Sequence, residues 1–434
     1  MKVRSTFLVA IATVSLASAA CSSAATTAPA TPAPATPAPA SVAPASVAPA
    51  SAAASAAAVT VPAVTVTSFD SSFSAMSQFT GLTAAGKGLV GVVLPDATSS
   101  GRYVSYDAPY LTKAFQAAGY APTDFKIDNA QGTDATELAL AQADIQAGAK
   151  VLLIDPIDSV VGNQVQAAAA AAGVTMISYD RATFQGTNTY YVSFDNVQVG
   201  KLIGKGFMQC ITDWGVKNPQ VFQLNGGQDT DPNAISFAEG YNSVIWGTAT
   251  ALPKPGLKNS AGYTLVGNQI APGWDNAKGQ AIFQQAYTAN KAINATVEAN
   301  DGLAQSVITV LKAAGVPAKK IPTTGQDATL QGMESILQGY QCGSVYKPIY
   351  LEAQAAVALA TILRAGQTPP SALVNGTTTD PKNPATTEPA ILLTPYWVNA
   401  ANMASTVIQD KFVSATDLCA AVGASVCSAN KITP

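Results

Sequence analysis

The sequence predicts an α/β fold built as two doubly wound lobes with parallel sheets. Two patterns carry this. From about Lys87 onward, short apolar runs alternate with longer segments whose apolar positions recur at helical spacing and which stop at glycine. About ten such strand–helix units follow one another, more than one ordinary sheet accommodates. A third pattern points to the chemistry: only 11% of residues are charged, and they gather just after the apolar runs.

The strand candidates are, in order, Leu89–Leu94, Asp124–Asp128, Val151–Ile154, Val174–Ser178, Tyr190–Ser193, Gln220–Leu224, Tyr263–Val266, Ala295–Glu298, Ile321–Thr324, Ser344–Tyr346 and Ile391–Leu393. Between them lie helical patterns such as "YDAPYLTKAFQAAGY", "ATELALAQADIQAGA", "NAKGQAIFQQAYTAN" and "GLAQSVITVLKAAGV". In open α/β sheets ligands bind outside the carboxyl ends of the strands. There Leu94 leads to Pro95-Asp96 and on to Arg102-Tyr103, and Ser178 leads to Tyr179-Asp180-Arg181. Leu224 leads to "NGGQDTDPNA", Val266 to "GNQIAPGWDN", Glu298 to Asn300-Asp301, Thr324 to Gly325-Gln326-Asp327 and Val345 to Tyr346-Lys347. This distribution describes a binding cleft.

Composition closes off several chemistries. The 434 residues are 48% hydrophobic, enough for two cores. Net charge is −3 without a basic, aromatic-laced stretch, which argues against nucleic acid as a partner. There is no histidine, so histidine-based nucleophilic triads and histidine metal sites are ruled out. No phosphate-binding loop with its Lys-Ser/Thr occurs, no CxxC spacing suggests zinc, and neither a cofactor nor a metal is implied.

The first residues predict export. Lys2 and Arg4 precede the short apolar run Phe7–Leu16, which is too short to span a membrane. Ser18-Ala19-Ala20-Cys21 resembles the lipobox of bacterial lipoproteins, with Cys21 as the acylated residue and Ser18 where an aliphatic residue is usual. Plain cleavage after Ala19 or Ala20 is the alternative. Residues 1–21 are thus read as a signal peptide, and 22–86 as a linker whose repeats, "TPAPATPAPA" and "SVAPASVAPA", favour an extended tether.

The segments "ISYDRATF", "YYVSFDN", "EANDGLAQS", "TTGQDA", "SVYKPI" and "LLTP", in this order and spacing, resemble the sugar-binding proteins of bacterial ABC importers. The D-xylose and multiple-sugar branch is the most similar, over roughly Gly88 to Thr406. The resemblance implies two Rossmann-like lobes, 87–195 with 348–390 and 196–347 with 391–434. It implies crossings near Phe194–Asn196, Tyr346–Pro348 and Thr394–Pro395. The implied partners are a monosaccharide such as D-xylose and the permease and ATPase subunits of an importer. The chain would act as a monomer, anchored outside the cell membrane.

A neutral sugar needs donors and acceptors in its ring plane and an aromatic against its C–H face. The resemblance assigns these parts to Arg102, Asp180, Arg181, Asn233, Asn300, Asp327 and Lys347, with Trp274 stacking. Tyr103 stands where the family often carries tryptophan, and the turn "DATSSGRY" differs slightly in length from that of the xylose receptors. Plainer roles exist for the same residues. Asp180 and Arg181 could pair with each other, Asn300, Asp301 or Asp327 could cap a helix, and Lys347 could be a solvated hinge residue. Trp246 and Trp397 are read as core. A glycosidase using Asp180 and Asp327 as its carboxylate pair would lack a general acid, because Arg181 and Lys347 nearby favour the ionised forms. A sensory receptor would use the same closed form.

Beyond Cys21 four cysteines remain, allowing three pairings. The short spacing favours Cys419–Cys427, which leaves Cys210–Cys342. Free buried thiols are the alternative.

Overall fold

A computed structural model describes residues 59–97, 100–184 and 189–434. The signal peptide, Cys21 and most of the expected linker lie outside them. Among the described residues no helix is long and apolar enough to cross a membrane.

Strands form where the apolar runs were read. In the first lobe these are β1 (Leu89–Leu94), β2 (Phe125–Asn129), β3 (Ala149–Ile154), β4 (Thr175–Tyr179) and β5 (Thr189–Phe194). The second lobe carries β6 (Gln220–Asn225), β7 (Thr264–Ile270), β8 (Ala295–Glu298), β9 (Gly325–Gln326) and β10 (Ser344–Tyr346). The chain then returns for β11 (Gly376–Asp380) and β12 (Asn383–Leu393) and ends beyond β13 (Tyr396–Val398). The first sheet runs β11-β12-β5-β4-β3-β1-β2, parallel except for the β11–β12 hairpin at its edge. In the second lobe β7-β6-β8 are parallel, β9 pairs parallel with β10, and β13 joins β10 antiparallel. Because the strands are parallel, their carboxyl ends face one way in each lobe, and the strand-end residues meet across the gap.

Side chains at the strand ends also start the helices that follow. Asp158 accepts the N–H groups of Val160 and Val161, and Asp195 and Asp275 each accept the N–H three residues on. The helices Asn196–Asp213 and Pro232–Ile245 cross glycine to glycine: a Cβ on Gly200 would run into the Phe237 carbonyl, and one on Gly240 into that of Val197. Disulfides join Cys210 to Cys342 within the second lobe and Cys419 to Cys427 near the C-terminus.

Three expectations are corrected. The linker read over 22–86 does not extend that far, because Val64, Phe69, Phe73, Met76, Phe79 and Leu82 are buried in the first-lobe core. The Gln354 side chain further ties the Asp70 carbonyl down. Those six apolar side chains cost too much to leave in water, whatever the composition upstream. Second, Ile321–Thr324 is not a ladder strand. Pro322 has no N–H, and the Glu298 carboxylate, not a backbone carbonyl, accepts the Thr324 N–H at 2.8 Å. Third, the last lobe boundary moves. Residues Ile391–Leu393 continue β12 beside β5, with Leu393 opposite Phe194, so the crossing falls at 394–395. Downstream, Phe412 stacks on Tyr106 with ring centres 4.0 Å apart and Asp410 accepts the hydroxyls of Tyr346 and Tyr350, so this C-terminal segment also packs on the first lobe.

Candidate functional site

The two lobes are closed on each other. Both the N–H and the hydroxyl of Ser159 donate to the Thr230 carbonyl across the cleft, at 2.9 and 2.8 Å. Inside, one cavity of about 330 Å³, counting its opening to solvent, is lined by all nine expected binding residues. Arg102 and Tyr103 follow β1, Asp180 and Arg181 follow β4, and Lys347 sits on the second crossing. Asn233 begins the helix after β6, Trp274 follows β7, Asn300 follows β8 and Asp327 follows β9. Asp180, Trp274 and Asp327 have φ of 56°, 61° and 90°. Left-handed backbone is uncommon outside glycine and gathers at functional sites, where it aims a side chain that a regular turn would misdirect.

Asp180 and Arg181 are not partners of each other. Asp180 Oδ1 accepts from Arg102 Nη1 at 2.8 Å and lies 3.5 Å from Lys347 Nζ. Arg181 donates instead to the carbonyls of Pro156 and Ile157 and to the Tyr103 hydroxyl at 3.0 Å, with Asp231 at 3.6 Å and Asp155 at 3.8 Å from its Nε. Burial alone would raise the Asp180 carboxyl, but Arg102, then Lys347 and Arg181, outweigh it and hold it at about 2. Burial raises Asp231 against the pull of Arg181, and it lifts Asp155 well above the usual carboxylate range.

The plainer roles divide. Asn300 does cap its helix, Oδ1 accepting the Leu303 N–H at 2.9 Å, so what it can offer the cavity is its amide N–H₂. Asp301 is committed to Thr329, Gln341 and Ser344. Asp327 caps nothing, since Thr329 caps the helix Leu330–Leu337; its carboxylate sits 3.2 Å from Lys347 Nζ. Lys347 is buried rather than solvated. Asn233 donates to the Asp180 carbonyl at 2.7 Å, bridging the lobes at the cavity wall. Trp274 donates to Asp231 at 3.1 Å, and its ring packs so close to Gly226 that a Cβ there would overlap it.

Sequence reasoning passed over four carboxylates that hold these cations. Asp107 and Glu352 both grip Arg102, and Asp155 and Asp231 flank Arg181. Asp155 stands directly after β3, where the strand-end rule could have found it. Glu352 lies within the helix Ile349–Arg364, and nothing local marks it.

Among the lining residues, three cations (Arg102, Arg181, Lys347) face three carboxylates (Asp180, Asp231, Asp327). The cavity is therefore balanced in charge and rich in both donors and acceptors, with one broad aromatic wall. That combination suits an uncharged polyhydroxy compound.

Comparison with known proteins agrees with this geometry. The periplasmic binding protein domain family matches residues 90–368. The chain is 33% identical over 293 residues to the D-xylose-binding periplasmic protein of Escherichia coli, covering 67% of this chain and 82% of that one. It is 31% identical over 336 residues to a multiple sugar-binding periplasmic protein of Azospirillum brasilense, covering 76% and 90%. The crystal structure of a carbohydrate transporter solute binding protein from Chloroflexus aurantiacus in complex with D-glucose superposes with a TM-score of 0.63 at 26% identity, over 76% of this chain and 98% of that one. With its paired parallel-sheet lobes and three crossings, the chain belongs to the periplasmic binding protein family and has the type I fold.

Proposed function

We propose that this protein is the exported substrate-binding component of an ABC importer, and that it holds one uncharged monosaccharide between its lobes and hands it to a permease. The observation that carries this reading is the charge-balanced cavity, in which Arg102, Asp180, Arg181, Asn233, Asn300, Asp327 and Lys347 converge beside Trp274. Charged groups make hydrogen bonds to hydroxyls about twice as strong as neutral groups do. Contacts from both lobes make the sugar favour the closed form, which is how a permease distinguishes loaded from empty. Asp180 does not suit a glycosidase's acid role: a carboxyl held at about 2 cannot serve as a general acid near neutral pH.

D-xylose is the first candidate, in keeping with what the relatives' names state, followed by glucose, galactose and arabinose. Export, acylation of Cys21 and monomeric action belong to the same proposal. A thermal-shift panel of monosaccharides followed by calorimetry tests it: a neutral sugar raises the unfolding midpoint and binds with a micromolar Kd, about −8 kcal/mol. Uronic acids and amino sugars bind far less well, because either charge unbalances the cavity. A panel in which no sugar shifts the midpoint overturns the reading.

A further inference from the structure

The Arg102 guanidinium has five N–H groups. Nε and Nη2 span the two oxygens of Asp107 at 2.9 and 2.8 Å, Nη2 also reaches Glu352 Oε2 at 2.8 Å, and Nη1 gives one bond to Asp180 at 2.8 Å. Four donors are thereby committed to protein, and one N–H on Nη1 is left at the cavity. Asp107 alone supplies the planar, two-point grip that would hold the group in place. The second carboxylate behind it is fully buried, and its Oε1 has no hydrogen-bond partner. For packing alone an apolar side chain would serve better, since a buried carboxylate with an idle oxygen is costly. Glu352 lies in the first turn of the helix that begins just after the crossing Tyr346–Pro348.

Resting on the sugar-binding reading, we infer that Glu352 is a positioning residue: from the helix that leaves the hinge it turns Arg102 so that its one free N–H meets a sugar hydroxyl, tying the aim of that donor to the seating of the hinge. Around Glu352 stand Arg102, Asp107, Asp180 and Lys347, with the Tyr179 and Tyr191 hydroxyls from β4 and β5. Burial pushes its carboxyl up to about 8 against the pull of Arg102.

The test is calorimetry on the chain from Ser22 onward, with whichever of D-xylose, D-glucose, D-galactose and L-arabinose binds wild type most tightly. Glu352→Leu, which removes the acceptor while keeping bulk, is expected to weaken binding by about tenfold or more. Adding Arg102→Lys to it then costs less than Arg102→Lys does alone. Glu352→Gln retains an acceptor oxygen for Arg102 Nη2 and stays within about threefold of wild type. Should Glu352→Leu fail to fold, Glu352→Met read through the same cycle with Arg102→Lys decides. A wild type that binds sugar, with a folded Glu352→Leu or Glu352→Met variant within about twofold of it, or with Glu352→Gln as weak as Glu352→Leu, overturns this inference and leaves the sugar reading standing. A wild type that binds none of the four overturns both.

Discussion

Replacing Asp327 by alanine separates binding from folding. The carboxylate is buried, yet Oδ1 has no hydrogen-bond partner, only Lys347 at 3.2 Å, and Oδ2 has Ser100 at a marginal 3.5 Å. An acceptor so little used by the protein faces the cavity as a ligand group. Its loss removes a charged hydrogen bond worth about 1.5–3 kcal/mol, or roughly 10- to 150-fold in Kd. The effect on folding is small, because Lys347 keeps Asp180 at 3.5 Å and no charge is orphaned. Alanine at φ 90° adds strain of order 1 kcal/mol, which moves the midpoint of a chain this long by about 2 °C. Calorimetry at neutral pH reads the first quantity and thermal unfolding the second. An affinity unchanged within about twofold in a folded variant would refute the reasoning, because the least satisfied carboxylate of the cavity would then be no part of the grip.

Three further outcomes are expected. Gly226→Ala pushes the Trp274 ring off its seat and weakens sugar binding by about tenfold, seen as lost tryptophan fluorescence change on titration. Asp180→Asn lowers stability near neutral pH by roughly 2–3 kcal/mol. Asp180 is held at about 2, so its contribution is present above the unfolded value near 4 and is lost as pH falls through about 2; the gap in midpoint from wild type should close over that window. Removing Cys210–Cys342, which closes a separation of 132 residues, costs about 5 kcal/mol by chain entropy, against about 2.6 kcal/mol for Cys419–Cys427 with its separation of 8. Denaturant titrations of the two double-alanine variants should rank in that order.

Much of the architecture was legible along the chain. β1, β3, β4, β6 and β8 lie where apolar runs of the right length give way to proline or polar residues, a local property that needs no partner to be seen. Local reading failed where a partner decided the outcome. Ile321–Thr324 reads as a strand, but Pro322 has no N–H to give a ladder, and the Thr324 N–H goes to the Glu298 side chain. The segment 59–86 continues the tether's Ser, Thr and Ala but adds large apolar side chains, Phe69, Phe73, Met76, Phe79 and Leu82 among them, whose burial depends on a core that the later chain builds.

The sequence alone determined which residue types stand at the carboxyl ends of the strands, and with them the chemistry of the cleft, because strand period and chain direction are local. Tertiary structure decided who pairs with whom. Asp180 takes Arg102 and Lys347 rather than its neighbour Arg181, and Glu352 reaches Arg102 across 250 positions of chain. Electrostatic partnership depends on distance through space and on exclusion from water, and folding alone sets both.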